Sequence, residues 1–381
     1  MKALIHPLKL ILIVWLGLLL CAAPVCGEPE PGRDLKLDDL NHFLGTLDQD
    51  IQELLPKLDP AAWKSTGPWW DWGKVGREIG GYFLRELVFN LRLLAELMLL
   101  ALALAILQNI HHAFEGETVS RMAFGFCFLV AMGIILNSFR VTFAVAKGAV
   151  DEMSNFMYAI VPLLFSLIVA GGGVNSATMV HPLLISSVEL VGSLVKGVVF
   201  PLIVFGGVLG LVSFLAEGFE VNKLAGIFRN VALGILGVTM TAFIGLITIK
   251  GFAGGVADST ALRTAKYMTN TFLPVVGSEL ADTMEMAVGS SLILKSGIGI
   301  FGLGLVVLIT IFPLIKILAV AAIYQLTSAI MQPLGNHRLA DALQTVGGIF
   351  MNIFGVVAVV GLMFYIAIAV LVGMAGIRSG W

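Results

Sequence analysis

Charge is what this sequence has least of. Of its 381 residues, 13% are Asp, Glu, Lys or Arg and 58% are hydrophobic. A soluble domain averages about 25% charged residues. Water does not solvate so apolar a surface, and the apolar residues fall in long blocks instead of alternating with charge. The solvent is therefore lipid. Cysteine is scarce too, with three in all. Cys21 and Cys26 lie in or beside an N-terminal leader, and Cys127 sits alone in an apolar block. That excludes a disulfide framework within one mature chain. A net charge of −2 argues against nucleic acid as a main partner.

Chemistry is missing as well. No nucleophile stands beside a base. The glycine runs at Gly206, Gly207 and Gly210, and at Gly297, Gly299, Gly302 and Gly304, follow no strand and lack the Lys-Ser/Thr ending of a P-loop. In spans, such small residues let helices approach closely. His111 and His112 project about 100° apart on a helix, a poor spacing for one metal. The expectation is a protein without catalytic, cofactor or metal site, drawing any energy from elsewhere.

What is present begins with a leader. Lys2 and Lys9 flank a basic start, Leu10 to Leu20 is an apolar core, and Ala22 to Gly27 supplies a small-residue end before Glu28. This is the three-part export signal, expected over residues 1–27. An uncleaved anchor is the alternative. Residues 28–84 form an extracytoplasmic region. Leu37, Leu40, Phe43, Leu44, Leu47, Ile51, Leu54 and Leu55 recur at helical spacing and predict an amphipathic helix. Trp63, Trp69, Trp70 and Trp72 then suit a membrane interface, or a small packed cluster.

Residues 85–381 read as a multi-pass domain. Apolar blocks run at about 87–107, 122–143, 156–171, 197–216, 230–249, 298–322 and 349–374. A crossing helix needs about 20 residues, so the expected fold is an all-α polytopic membrane protein of about seven transmembrane helices. The short third block and the stretch 181–196 predict one span plus a surface helix, or a re-entrant pair.

The sequence also repeats. Phe-Pro-Leu-Ile occurs at 200–203 and at 312–315, so Pro201 and Pro313 are 112 apart (313 − 201). Pro162 and Pro274 are also 112 apart (274 − 162). Copies are expected at about 121–216 and 229–327, with the four prolines as candidate helix breaks. Repeated halves with interrupted helices point to a transporter-like architecture, or to duplication for packing alone.

Charges inside such a domain are the candidate pathway or partner contacts. Arg92 and Glu96 are one turn apart and neutralise each other. Glu189 and Lys196 share a face. Lys316 follows Pro313 and suits snorkelling. Asp258, Arg263 and Lys266 precede Pro274, and Glu279, Asp282 and Glu285 follow it. So charged a stretch predicts an aqueous vestibule, a partner contact or a solvated loop. Lys250, Arg263, Lys266 and Lys295 lean towards placing 250–297 in the cytoplasm.

A series of motifs then carries a resemblance. Leu136-Asn137-Ser138-Phe139, His181-Pro182, Leu262-Arg263-Thr264-Ala265-Lys266, Phe272-Leu273-Pro274-Val275-Val276-Gly277, Ser291-Leu292-Ile293-Leu294-Lys295 and Gln332-Pro333-Leu334-Gly335 occur in order. The chain resembles the stage III sporulation protein AE family over roughly 87–375. The resemblance implies a multi-pass protein of the mother-cell membrane facing the forespore, in a channel or feeding-tube apparatus. It implies other stage III sporulation proteins (AA to AH) as partners, stage II sporulation protein Q indirectly, and a need for the protein in late forespore gene expression. The competing expectations are a permease-like channel subunit, an independent secondary transporter and a non-transporting membrane scaffold.

Overall fold

The computed structural model describes residues 38–47, 49–52, 72–113, 117–215, 222–272, 277–334 and 337–374. The expected signal, Trp63, Trp69, Trp70 and Pro274 lie outside the described residues. Those that are described are helical almost throughout. That follows from the solvent, since a helix satisfies its backbone hydrogen bonds within one segment and lipid offers none.

The helices are α1 (Asp38–Thr46), α2 (Gln49–Gln52), α3 (Trp72–Phe89), α4 (Leu91–Ala113), α5 (Glu117–Ala170), α6 (Val174–Leu194), α7 (Phe200–Leu215), α8 (Asn222–Phe272), α9 (Gly277–Met331) and α10 (His337–Gly373). A π turn, Val195–Val199, joins α6 to α7 without a break. The stretch expected as one amphipathic helix is described as two short pieces, α1 and α2. Leu40, Phe43, Leu47 and Ile51 are buried, and the Phe43 ring lies 5.5 Å from that of Phe156 on α5. Tyr82 of α3 meets Phe312 of α9 edge-on at 4.7 Å.

Five helical stretches among the described residues are long and apolar enough to cross a membrane: 129–170, 174–214, 223–261, 295–331 and 339–373. This differs from seven separate blocks, and the reason is local. Blocks 122–143 and 156–171 both lie in α5, a single helix of 54 residues about 80 Å long. The stretch between them carries Lys147, Asp151 and Glu152, and charge does not interrupt a helix. Residues 181–196 likewise run on into 197–215 as one rod through the π turn, instead of forming a separate helix. The 87–107 block is divided at Asn90 between α3 and α4.

Prolines do not break these helices either. Pro162 lies inside α5 and Pro313 inside α9. Pro201 sits in the first turn of α7, directly after the π turn. There the Phe200 N–H bonds the Val195 carbonyl, five residues back. The widened turn makes room for a ring that would otherwise strike the carbonyl of residue 197. The equal spacing of the prolines is thus not matched by equal helix boundaries.

The real reversal comes at Gly171–Gly173. The Gly173 N–H bonds the Ile168 carbonyl at 2.8 Å and the Gly172 N–H bonds that of Val169 at 2.8 Å. This pairing ends α5 as a Schellman motif. Gly172 has φ 78°, a left-handed conformation that a side chain resists.

Successive rods alternate in direction, and the rod in α9 packs chiefly on α10 and α5. α9 and α10 share the most extensive interface, and Thr310 is at its centre, fully buried. Its hydroxyl donates to the Val306 carbonyl at 2.6 Å. A Cβ on Gly361 of α10 would stand 2.6 Å from that hydroxyl oxygen, so the glycine is what lets the helices approach. Gly361→Ala is expected to destabilise the detergent-solubilised protein by about 1–3 kcal/mol through overpacking. Gly355→Ala on the same helix, where a Cβ meets nothing within 4 Å, should be neutral or stabilising. Thermal melts of the two variants check this.

Candidate functional site

The start of α6 needs a cap, and its own sequence supplies none. The N-cap residue is Gly173, which makes no side-chain hydrogen bond. The cap comes from α8. Asp258, 3% exposed, accepts from the Asn175 N–H at 2.8 Å and from the Ser176 N–H at 3.0 Å, one with each carboxylate oxygen. A negative group at this end also meets the positive end of the helix dipole. Gly254, one turn earlier on α8, makes the approach possible. A Cβ there would lie 2.8 Å from Ser176 Cα.

This corrects one expectation. Asp258 belongs to no vestibule or solvated loop, because it is internal and joins α8 to the α5–α6 hairpin. Lys295 is likewise fully buried, on α9. A buried lysine is not a free loop charge, so it does not count towards the cytoplasmic bias of 250–297.

A second polar contact crosses the bundle at the π turn. The Lys196 ammonium donates to Asp151 on α5 as an ion pair. Gly192 and Ser154 pack one turn away, with a Cβ on Gly192 placed 3.2 Å from Ser154 Oγ. The Ser154 hydroxyl is satisfied by the Val150 carbonyl at 2.8 Å. Tyr158 and Glu189 flank the pair, and Tyr158 lies within electrostatic reach of both Glu189 and Lys196. Five polar side chains, Asp151, Ser154, Tyr158, Glu189 and Lys196, thus share one seam, with Glu189 at its exposed edge. π turns recur at functional positions because the extra residue re-aims the side chains of that turn.

The other expected residues are dispersed. Arg92 and Glu96 pair on α4 at 3.0 Å, with side chains 89% and 46% exposed. They neutralise each other on an outer face and line nothing internal. Lys316 is half-buried on α9. Arg263 and Lys266 fall in the last turns of α8, and Glu279, Asp282 and Glu285 in the first turns of α9. Helical backbone puts those three acids within roughly a 120° arc. The side chains of these five lie outside the described residues, as does Pro274. Among the described residues no cluster of three or more His, Cys, Asp or Glu is placed to hold a metal.

Sequence reasoning missed Asp151 as the partner of Lys196 and Asp258 as a cap. A signal existed for each. Asp151 and Lys196 are the charges nearest the middle of two apolar rods. Gly254-x-x-x-Asp258 puts a small residue and an acid on one face, as a close helix contact requires.

Two outcomes are expected. Asp151→Lys or Lys196→Asp alone should lower stability by about 0.6–1.7 kcal/mol, the range for interhelical polar contacts in membranes. The double swap should recover most of the loss in a melting assay. Asp258→Ala should cost about 0.5–2 kcal/mol, as loss of an N-cap does, with Asp258→Asn milder because its amide keeps one acceptor.

Comparison with known proteins places the bundle. The model of the stage III sporulation protein AE family matches residues 64–375. The stage III sporulation protein AE of Bacillus subtilis (strain 168) is 34% identical over 345 residues, which cover 89% of this chain and 86% of that protein. No solved structure matches. Since the family match runs from before α3 to beyond the end of α10, the chain belongs to the stage III sporulation protein AE family.

Proposed function

We propose that the chain is a membrane component of the sporulation apparatus, and that it works there as a permease-like subunit of the channel between mother cell and forespore. The observation that carries this reading is the family match across the whole helical bundle. Five rods long enough to cross a membrane and a charged seam between two of them support it. A lone Asp, Lys or Arg at a helix centre in lipid costs about 2.5–3.5 kcal/mol. Here the two charges offset that cost by pairing, and side chains 30% and 43% exposed leave the pair accessible to a pathway or a partner.

In this reading the chain sits in the mother-cell membrane facing the forespore. It works with other stage III sporulation proteins (AA to AH) and, through them, with stage II sporulation protein Q. It is no enzyme, and energy reaches it from a partner. The repeated Phe-Pro-Leu-Ile segments belong to two of the rods, α7 and α9, that would line or brace the conduit.

Deletion of the gene is expected to halt spore development after engulfment, with late forespore gene expression lost and vegetative growth normal. Sporulation efficiency and a forespore reporter measure it. A growth defect in non-sporulating cells with normal spores would point instead to a housekeeping transporter. Normal sporulation with Asp151→Asn and Lys196→Gln combined would point to a scaffold that moves nothing.

A further inference from the structure

A cavity of ≈ 440 Å³ lies between α7, α8 and α10, on a different face of α7 from the Asp151–Lys196 seam. That volume is in the range of small-molecule sites, about 300–1,000 Å³. Its floor is the glycine face of α7, with Gly206 and Gly210, and its walls carry Arg229, Asp341, Gln344 and Asn352.

Helix register orders these groups. α7 runs antiparallel to α8 and to α10. A Cβ on Gly206 would meet the Ala225 carbonyl, and one on Gly210 would meet Thr345. The Cβ on Gly206 would also lie 3.6 Å from the Arg229 amide nitrogen, so Arg229 is level with about position 205. Seven residues further along α10, Asn352 is level with position 203. Four residues back along α10, Asp341 is level with position 214. Arg229 and Asn352 therefore stand towards one end and Asp341 at the other, about nine to eleven residues or about 14–17 Å apart along the axis. The length of the arginine side chain shortens that gap.

The groups at the two ends are unspent. Neither Arg229 nor Asp341 forms an ion pair among the described residues, where the pairs are Arg92–Glu96 and Asp151–Lys196. The Asn352 amide nitrogen is buried without a hydrogen-bond partner among the described residues. A buried donor left unmade costs about 1–3 kcal/mol, so a ligand acceptor at this end is favoured.

We propose that this cleft binds a short linear zwitterion, with its carboxylate at Arg229 and Asn352 and its amine towards Asp341. An extended peptide spans about 3.3–3.6 Å per residue, so three or four residues fit the cleft. An anionic lipid would satisfy Arg229 but lay its chains beside the Asp341 carboxylate. A lone anion or cation would use one end only.

The test is equilibrium dialysis of radiolabelled triglycine against the full-length protein in phosphatidylcholine nanodiscs. Saturable binding is expected. Arg229→Gln and Asp341→Asn should each weaken it about tenfold, or 1.4 kcal/mol. Acetylating the probe's amine should add nothing to the loss in Asp341→Asn, and amidating its carboxylate nothing to the loss in Arg229→Gln, as paired groups require. Asn352→Leu, which keeps both charges, should also weaken binding. Unchanged melting of each variant shows that it is folded. Absence of saturable binding by the native protein, or equal binding by folded variants, overturns the proposal. So does competition by phosphatidylglycerol that depends on Arg229 and not on Asp341, which marks a lipid site. Binding reads this cleft alone, so its failure leaves the sporulation reading untouched.

Discussion

In lipid no water repairs a broken hydrogen bond, so each helix end within the bundle must be completed by the chain itself. The start of α6 is where that demand is hardest to meet. It follows a glycine turn that ends α5 well, with Gly172 at φ 78°, but offers no side chain to the amides of the next helix. Asp258 of α8 meets the demand from 83 residues away in sequence, through Asn175 and Ser176. The hairpin's geometry thus depends on where α8 lies. That position depends on Gly254, because any larger residue would strike Ser176. Turn, cap and close approach form one unit.

The same economy of polar groups governs the rest. Apolar side chains supply little association energy between helices in lipid, where the tails are as apolar as leucine. Close packing and a few polar contacts hold the rods instead. Gly361 against Thr310 is the packing kind, and Asp151 with Lys196 the polar kind. Pro201 adds a constraint that the π turn absorbs, and the absorbed residue places Lys196 within that widened turn. A proline that looks like a break is here a device for spacing.

Much of the architecture was legible in composition and blocks. An all-helical membrane bundle follows from scarce charge and long apolar runs, and the buried stripe of Leu40, Phe43, Leu47 and Ile51 from helical spacing. Continuity was not legible. Block counting divides a helix wherever hydropathy dips, yet α5 crosses Lys147, Asp151 and Glu152 without interruption, because helical hydrogen bonds are indifferent to side-chain charge. At Pro162, Pro201 and Pro313 the expected helix break is absent for a related reason. A lost N–H within a long rod is one bond among many, and local π adjustment re-satisfies its neighbours. The polar contacts were half legible: the sequence shows which charges lie in apolar stretches, but the partner 45 or 83 residues away appears only in the fold.

The bundle consequently has two unlike regions. Near the α5–α6 turn, glycine admits a neighbouring backbone and an acid closes the gap, so the polar groups there are used up in structure. Between α7, α8 and α10 glycines again line the contact, yet Arg229 and Asp341 make no ion pair among the described residues and the space between them stays open. Small residues alone therefore do not decide whether a seam closes. What decides is whether a carboxylate or ammonium lies within reach of a matching group on the adjacent helix. Where it does, as at Asp258, the seam is a joint that fixes the rods. Where the charges stand about nine residues apart along the rods, as Arg229 and Asp341 do, they form no pair, and the seam remains a place for something else to fill.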